Sequence, residues 1–232
     1  MSINNKYISA VILAAGAGTR MKSDITKQRI EILGESVLKR SVRAFEECDA
    51  IDSITVVAKE DELSVIRGML SSGFCKLYDV VAGGECRADS ARHGFLAIPN
   101  NTDYVAIHDA ARCLVTPDMI RRVVVSAIEH GAATASCRVT DTVKRVDSDS
   151  MIIETLPRSE LVTVQTPQIF ERALYEKSVE TCVEKLFEFT DDNMLVEKIG
   201  GRIHCVDTGS DNIKITTQKD LLLAEFILEK RK

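Results

Sequence analysis

The stretch VILAAGAGTRMKS (11–23) runs from apolar residues into two alanines, two glycines and then cations, with a further lysine, Lys27, close behind. Gly16 and Gly18 let backbone N–H groups approach an anion closely. Arg20, Lys22 and Lys27 follow where positive charge would neutralise it. The chemistry on offer is that of phosphate groups. Two common phosphate loops do not fit, however. A dinucleotide fingerprint needs glycine where Met21 stands, and an acid closing the next strand about 20 residues on; Glu60 and Asp61 come too late. A P-loop needs glycine directly before Lys22-Ser23, and Met21 again occupies the place. A glycine turn followed by solvated cations is the plain alternative. The position of the loop in the fold must decide.

That position follows from alternating elements. Buried strands are predicted at YISAVILAA, SITVVAKE, KLYDVVAGG, DYVAIHDAA, ATASCRV and GRIHCVD. Helices are predicted at SVLKRSVRAFEEC, DELSVIRGMLSSG, ADSARHGFLAI, TPDMIRRVVVSAIEHG and KDLLLAEFILEK, the fourth with Thr116 as cap and Pro117 in its first position. Strands joined by crossover helices imply an α/β, Rossmann-like fold with a mainly parallel sheet and helices on both faces. Ligands of such sheets sit beyond the carboxyl ends of the strands. The loops after Ala15, Ala82 and His108 all fall on that edge, which favours function over a plain turn. Around residues 139–160 the pattern changes to alternating segments about the polar turn DSDS, read as a projecting β-arm on one domain spanning 1–232. A two-stranded arm is marginal alone, so it is expected to pack on a second copy.

The segments LAAGAGTRM with Lys27-Gln28, AGGECRADSARHG, HDAAR, DTVKR, TPQIF, TDD and SDNIKIT occur in this order along nearly the whole chain. The set resembles the 2-C-methyl-D-erythritol 4-phosphate cytidylyltransferase family of the sugar- and alditol-phosphate nucleotidyltransferases. The resemblance implies Mg²⁺-dependent cytidylyl transfer from CTP to a polyol phosphate, with pyrophosphate released. It implies Arg20 and Lys27 as transition-state cations, with Ala14, Ala15, Gly16 and Gly18 as the triphosphate cradle. Gly83, Gly84, Ser90 and Ala110 fall on the nucleotide side. Arg112, Thr142, Arg158, Thr166 and Lys214 fall on the acceptor side, Arg158 and Lys214 also serving catalysis. Asp109 and Asp211 are implied as metal ligands. A homodimer through the β-arm is implied as well, Thr142 and Arg158 flanking that arm. Beside these roles stand plainer ones: a turn cap for Asp109, an Asx-turn for Asp211, a solvated hairpin for Thr142 and Arg158, a helix-start pair for Arg87 and Asp89, and a helix cap for Thr190 to Asp192. His108 reads as a packing or orienting residue. Thr26, Arg29, Cys113 and Asn193 depart from the family pattern, and none removes a candidate charge.

Composition narrows the alternatives. The 232 residues are 45% hydrophobic and 28% charged, with net charge −5, which disfavours a broad nucleic-acid surface. Seven scattered cysteines without a CxxC pair, and four histidines without HxxxH spacing, fit neither a disulfide framework nor a zinc site. No apolar run reaches the ~20 residues of a membrane span, and the expected location is the cytoplasm. The rival on the same scaffold is a ribitol 5-phosphate cytidylyltransferase. The rival of another class is a non-catalytic nucleotide-binding module.

Overall fold

The computed structural model describes residues 3–16 and 29–231. Gly18, Arg20, Lys22 and Lys27 lie outside the described residues.

In chain order come β1 (Ile8–Leu13), β2 (Glu31–Ile32), β3 (Glu35–Ser36), α1 (Val37–Glu47), β4 (Ser53–Ala58), α2 (Leu63–Leu70), β5 (Leu77–Ala82) and α3 (Arg87–Leu96). Then follow β6 (Tyr104–Asp109), α4 (Pro117–His130), β7 (Ala132–Arg138), β8 (Lys144–Val146), β9 (Ile152–Thr155), β10 (Val162–Glu171), α5 (Arg172–Cys182), α6 (Asp192–Lys198), β11 (His204–Asp207) and α7 (Gln218–Lys230). Among the described residues, seven strands form the main sheet in the order β11-β7-β10-β6-β1-β4-β5. The pairs β1–β4, β1–β6, β4–β5 and β7–β11 are parallel, as the crossover pattern predicts. The pattern did not foresee that β10 runs antiparallel between β6 and β7. This reversal carries the N-terminal half of β10 to the carboxyl edge of β6, where Thr166 meets Asp109.

Alternation along β1 sorts its side chains to two cores. Ile8, Ala10 and Ile12 join Leu38, Val42 and Phe45 of α1 and Val123 and Ala127 of α4 on one face. On the other, Val11 joins Ala91 and Phe95 of α3, with Tyr175 and Val179 of α5. Both faces are covered, so β4 and β6 are buried at every residue. As anticipated, Thr116 caps α4 by accepting the Met119 N–H and Pro117 opens it; Gly131 closes it at φ +82°. A third cluster seats α7, through Ala224 and Leu221, against Ile32, Leu114 and Ile215. It thereby supports the segment carrying Lys214.

β8 and β9 pair antiparallel as a sheet of their own, exposed along both strands. Asp147 shapes the turn by accepting the N–H groups of Asp149 and Met151 at 3.0 and 2.9 Å.

His108 is the fully buried polar residue of β6, its ring centroid 4.9 Å from that of Phe45. Burial pushes its imidazole down to about 3. The unfolded imidazole titrates near ~6.5. Stability gained by keeping it neutral is therefore full above that pH and is lost as pH falls towards the folded value. Between pH 7 and 5 the loss amounts to about 2 kcal/mol. Urea unfolding at both pH values should show this loss for the wild type and a clearly smaller one for His108→Asn. Equal losses would show that another group controls the acid side.

Candidate active site

The carboxyl edge of the sheet gathers several pieces of chain. Ala14, Ala15 and Gly16 follow β1, and the Ala14 N–H donates to the Val57 carbonyl of β4 at 2.7 Å. The loop after β5 lies against it. A Cβ built on Gly83 would stand 2.6 Å from the Ala15 Cβ and 2.8 Å from the Ser90 hydroxyl. One built on Gly84 would strike the Asp89 carboxylate. The immediate reason for both glycines is thus close packing of the loop on β1 and α3, whatever the base requires. Ser90 holds the turn by accepting the Gly84 N–H at 3.1 Å. Ala110, buried after β6, donates to the Leu13 carbonyl at 3.0 Å and ties this loop to β1.

The polar centre is Asp109, at the last position of β6. Arg87 donates to Oδ1 through Nε at 3.0 Å, and Lys214 to Oδ2 through Nζ at 2.6 Å. Burial alone would raise this carboxyl. The charges of Arg87 and Lys214 outweigh burial and hold it well below the usual carboxylate range. The Asp109 N–H donates to the Thr166 hydroxyl at 3.1 Å, and that hydroxyl lies 3.0 Å from His108 Nδ1. Thr166 sits within an irregularity of β10, where register shifts between Val164 and Gln168. Its carbonyl accepts the Asn212 carboxamide at 2.9 Å, anchoring the segment after β11 to the same point.

Arg112 donates to the carbonyls of Asn212 at 2.8 Å and Val164 at 3.4 Å. Burial lowers its guanidinium, and Asp109 offsets part of the effect. A cleft of about 250 Å³ lies among Arg87, Asp109, Arg112, Thr166, Asp191 and Lys214, with Val164, Gln165, Gln168 and Thr190 completing its wall. Three cations face two carboxylates there, which is the electrostatics of an anion pocket.

The remaining candidates divide. Asp109, Arg112, Thr166 and Lys214 come together, as does the nucleotide-side set Ala14, Ala15, Gly16, Gly83, Gly84, Ser90 and Ala110. Asp211 does not line the cleft; its carboxylate faces Arg231 at 3.6 Å. Thr142 is exposed, and Arg158 is exposed and donates to the Thr140 carbonyl at 2.7 Å. Neither lines this cleft within one chain. The expected Arg87–Asp89 helix-start pair is replaced by other partners: Arg87 reaches Asp109 and Asp192, while Asp89 pairs with Arg92 at 3.1 Å. Asp191 does cap α6, accepting the Met194 N–H, but Asp192 beside it is fully buried against Arg87. Sequence reasoning missed Gln165 and Gln168. Two amides between the apolar Val162 and Val164 and the Ile169-Phe170 pair were the signal, since buried polar groups need partners, and Gln168 binds both Asp191 and Asp192.

The family model for 2-C-methyl-D-erythritol 4-phosphate cytidylyltransferase matches residues 8–230. Proteins of that name from Caldanaerobacter subterraneus subsp. tengcongensis and Rubrobacter xylanophilus are 39% and 42% identical. Each alignment covers 96% of this chain, with 99% and 95% of the respective relative. The crystal structure of 4-diphosphocytidyl-2C-methyl-D-erythritol synthase from Anaerococcus prevotii DSM 20548 superposes with a TM-score of 0.88 at 29% identity, covering 98% of each chain. With its mainly parallel sheet and an anion cleft at the carboxyl edge, the chain belongs to the 2-C-methyl-D-erythritol 4-phosphate cytidylyltransferase family.

Proposed function

We propose that this chain transfers the cytidylyl group of CTP to 2-C-methyl-D-erythritol 4-phosphate. The observation that carries the reading is the cationic cleft around Asp109, seen in a chain whose relatives bear that activity in their names. A phosphate oxygen of the acceptor attacks the α-phosphorus of CTP. The new P–O bond forms as the bond to the bridging oxygen of pyrophosphate breaks, and pyrophosphate carries the electron pair away. An ionised phosphate needs no general base, so the protein's work is positioning and charge neutralisation. That suits a neutral, buried His108.

Lys214 and Arg112 are the cations of the cleft assigned to the acceptor phosphate, and Arg20 and Lys27 are assigned to the transition state by resemblance. A divalent cation, Mg²⁺ by the same resemblance, would offset triphosphate charge. Among the described residues no cluster of three or more metal-binding side chains exists. Such an ion takes one or two carboxylates and otherwise phosphate oxygens and water. Asp109 fits as its carboxylate. Asp211 joins only by turning away from Arg231.

The exposed hairpin supports the inference of a homodimer. Val146, Met151, Ile152 and Ile153 are 50–66% exposed on it, and a second copy is the natural cover for such a patch. The partner's arm would then bring its Arg158 and Thr142 towards the acceptor end of the cleft. Among the described residues no helix is long and apolar enough to cross a membrane.

Pyrophosphate release is expected with CTP and methylerythritol phosphate, and not with ATP, GTP or UTP. Release with ribitol phosphate instead would move the protein to the other polyol. CTP binding with no turnover on either acceptor would leave a nucleotide-binding module. Lys27→Ala should lower turnover by roughly 100-fold or more while the unfolding midpoint stays in place. Near wild-type turnover would remove Lys27 from the mechanism. Ile152→Asp should give monomers in sedimentation velocity and low turnover together. A fully active monomer would exclude the partner's contribution to the acceptor site.

A further inference from the structure

Arg87 joins two carboxylates in different surroundings. Its Nε donates to Asp109 Oδ1 in the cleft at 3.0 Å, and its Nη1 donates to Asp192 Oδ2 at 2.6 Å. Asp192 is fully buried. Its Oδ1 accepts the Tyr175 hydroxyl at 2.7 Å, and its N–H donates to Gln168 Oε1 at 2.9 Å. Tyr175 is itself fully buried, its ring 5.1 and 5.3 Å from Phe95 and Phe170. The chain of contacts thus runs from the core of the sheet to the cleft. The transfer step as described above uses neither Tyr175 nor Asp192.

The two cations on Asp109 differ in how they are held. Arg87 is tied at its other nitrogen to a carboxylate with no water to turn to, and its side chain is 24% exposed. The Lys214 side chain is 39% exposed, and among the described residues its ammonium pairs with no carboxylate besides Asp109. An arriving phosphate therefore competes for Lys214 far more readily than for Arg87. Once Lys214 turns to that phosphate, Asp109 Oδ2 faces the cleft. A carboxylate without a second anchor would swing at that moment.

We propose that Tyr175, Asp192 and Arg87 form a positioning relay that fixes Asp109 through Oδ1, so that Lys214 leaves Oδ2 for the acceptor phosphate without the carboxylate losing its orientation. The inference rests on the cytidylyl-transfer reading for its role in turnover, whereas the relay itself is a matter of geometry. Arg87 is suited to the task because a planar guanidinium bridges two carboxylates along two edges. A lysine's three donors diverge from one atom and lack the fixed planar fork that spans two carboxylates held apart.

Two readouts test it. The first needs no turnover: solvent exchange of the Arg87 Nε–H, followed by NMR. Asp192→Asn removes the buried charge at constant shape, and Tyr175→Phe removes one hydroxyl from a ring that stays packed. Both should speed that exchange, by about tenfold or more for the loss of a partner held in low dielectric. The second is steady-state kinetics. Substitutions behind a metal-site ligand typically cost about 10- to 100-fold. The expected loss in both variants lies in kcat, with KM for CTP held within about threefold. Arg87→Lys should fail to restore what Arg87→Gln loses. Unchanged exchange in both variants would overturn the relay. So would unchanged kcat with only a lowered unfolding midpoint, which is what a merely structural role gives. A wild type that releases no pyrophosphate would sink the activity reading instead, and the exchange rates would still decide the relay.

Discussion

A carboxylate held ionised at 8% exposure is the constraint on which this edge of the molecule depends. Asp109 ends β6 just where the central strands stop, and desolvation there favours its neutral form. Two cations reverse the balance, and each comes from a different part of the chain: Arg87 from the first turn of α3, Lys214 from the segment after β11. Arg87 in turn draws Asp192 and the start of α6 inward, because a half-buried guanidinium between two carboxylates stays charged despite burial. Breaking one partner of such a set strands a charge, which is more costly than never having buried it. The positions of α3, α6 and the segment after β11 are linked through one side chain.

The antiparallel β10 performs the same linkage with the backbone. Inserted between β6 and β7, it meets Asp109 with Thr166 and meets α6 with Gln168. Its irregular register between Val164 and Gln168 turns polar groups towards the cleft that a regular strand would direct elsewhere. An all-parallel sheet would leave this position to a strand end and a loop. The reversed strand instead supplies a wall from residues well inside a hydrogen-bonded ladder, a more rigid support for a site that works by positioning.

Legibility in the sequence followed the range of the forces involved. The parallel strands, the two-faced sheet and the cap of α4 could be read because their signals are local: β-branched runs, helical spacing, and Thr116-Pro117. Asp109, Arg112, Thr166 and Lys214 were legible as candidates because they sit in motifs, and the structure brings them to one cleft. The direction of β10 was not legible, since an apolar run carries no sign of its polarity in the sheet. Nor were the partners of Arg87. The nearest acid in sequence, Asp89, was the natural choice, yet the contacts formed lie 22 and 105 residues away. Asp192 looked like a helix-start acid, and only tertiary packing reveals that it is buried. Contacts of that separation leave no periodic trace, although the two glutamines of β10 signalled that a buried polar system exists.

The network also explains why these acids serve a reaction of anions. Three cations alone would bind a phosphate tightly and release it poorly. Three cations already committed to carboxylates and carbonyls bind only what competes successfully for them, and the competition is graded by how each is held. Arg87 is anchored at both ends, Arg112 rests on two backbone carbonyls, and Lys214 holds a single carboxylate oxygen on a long, half-exposed stem. The order in which they yield to an incoming phosphate follows from that geometry. Lys214 yields first, because its stem is flexible and its new partner replaces the charge it leaves. Arg87 yields last, because leaving Asp192 would strand a fully buried charge. A cleft built this way would admit a phosphate by exchange of partners, with no need to desolvate a free cation for each anion that arrives.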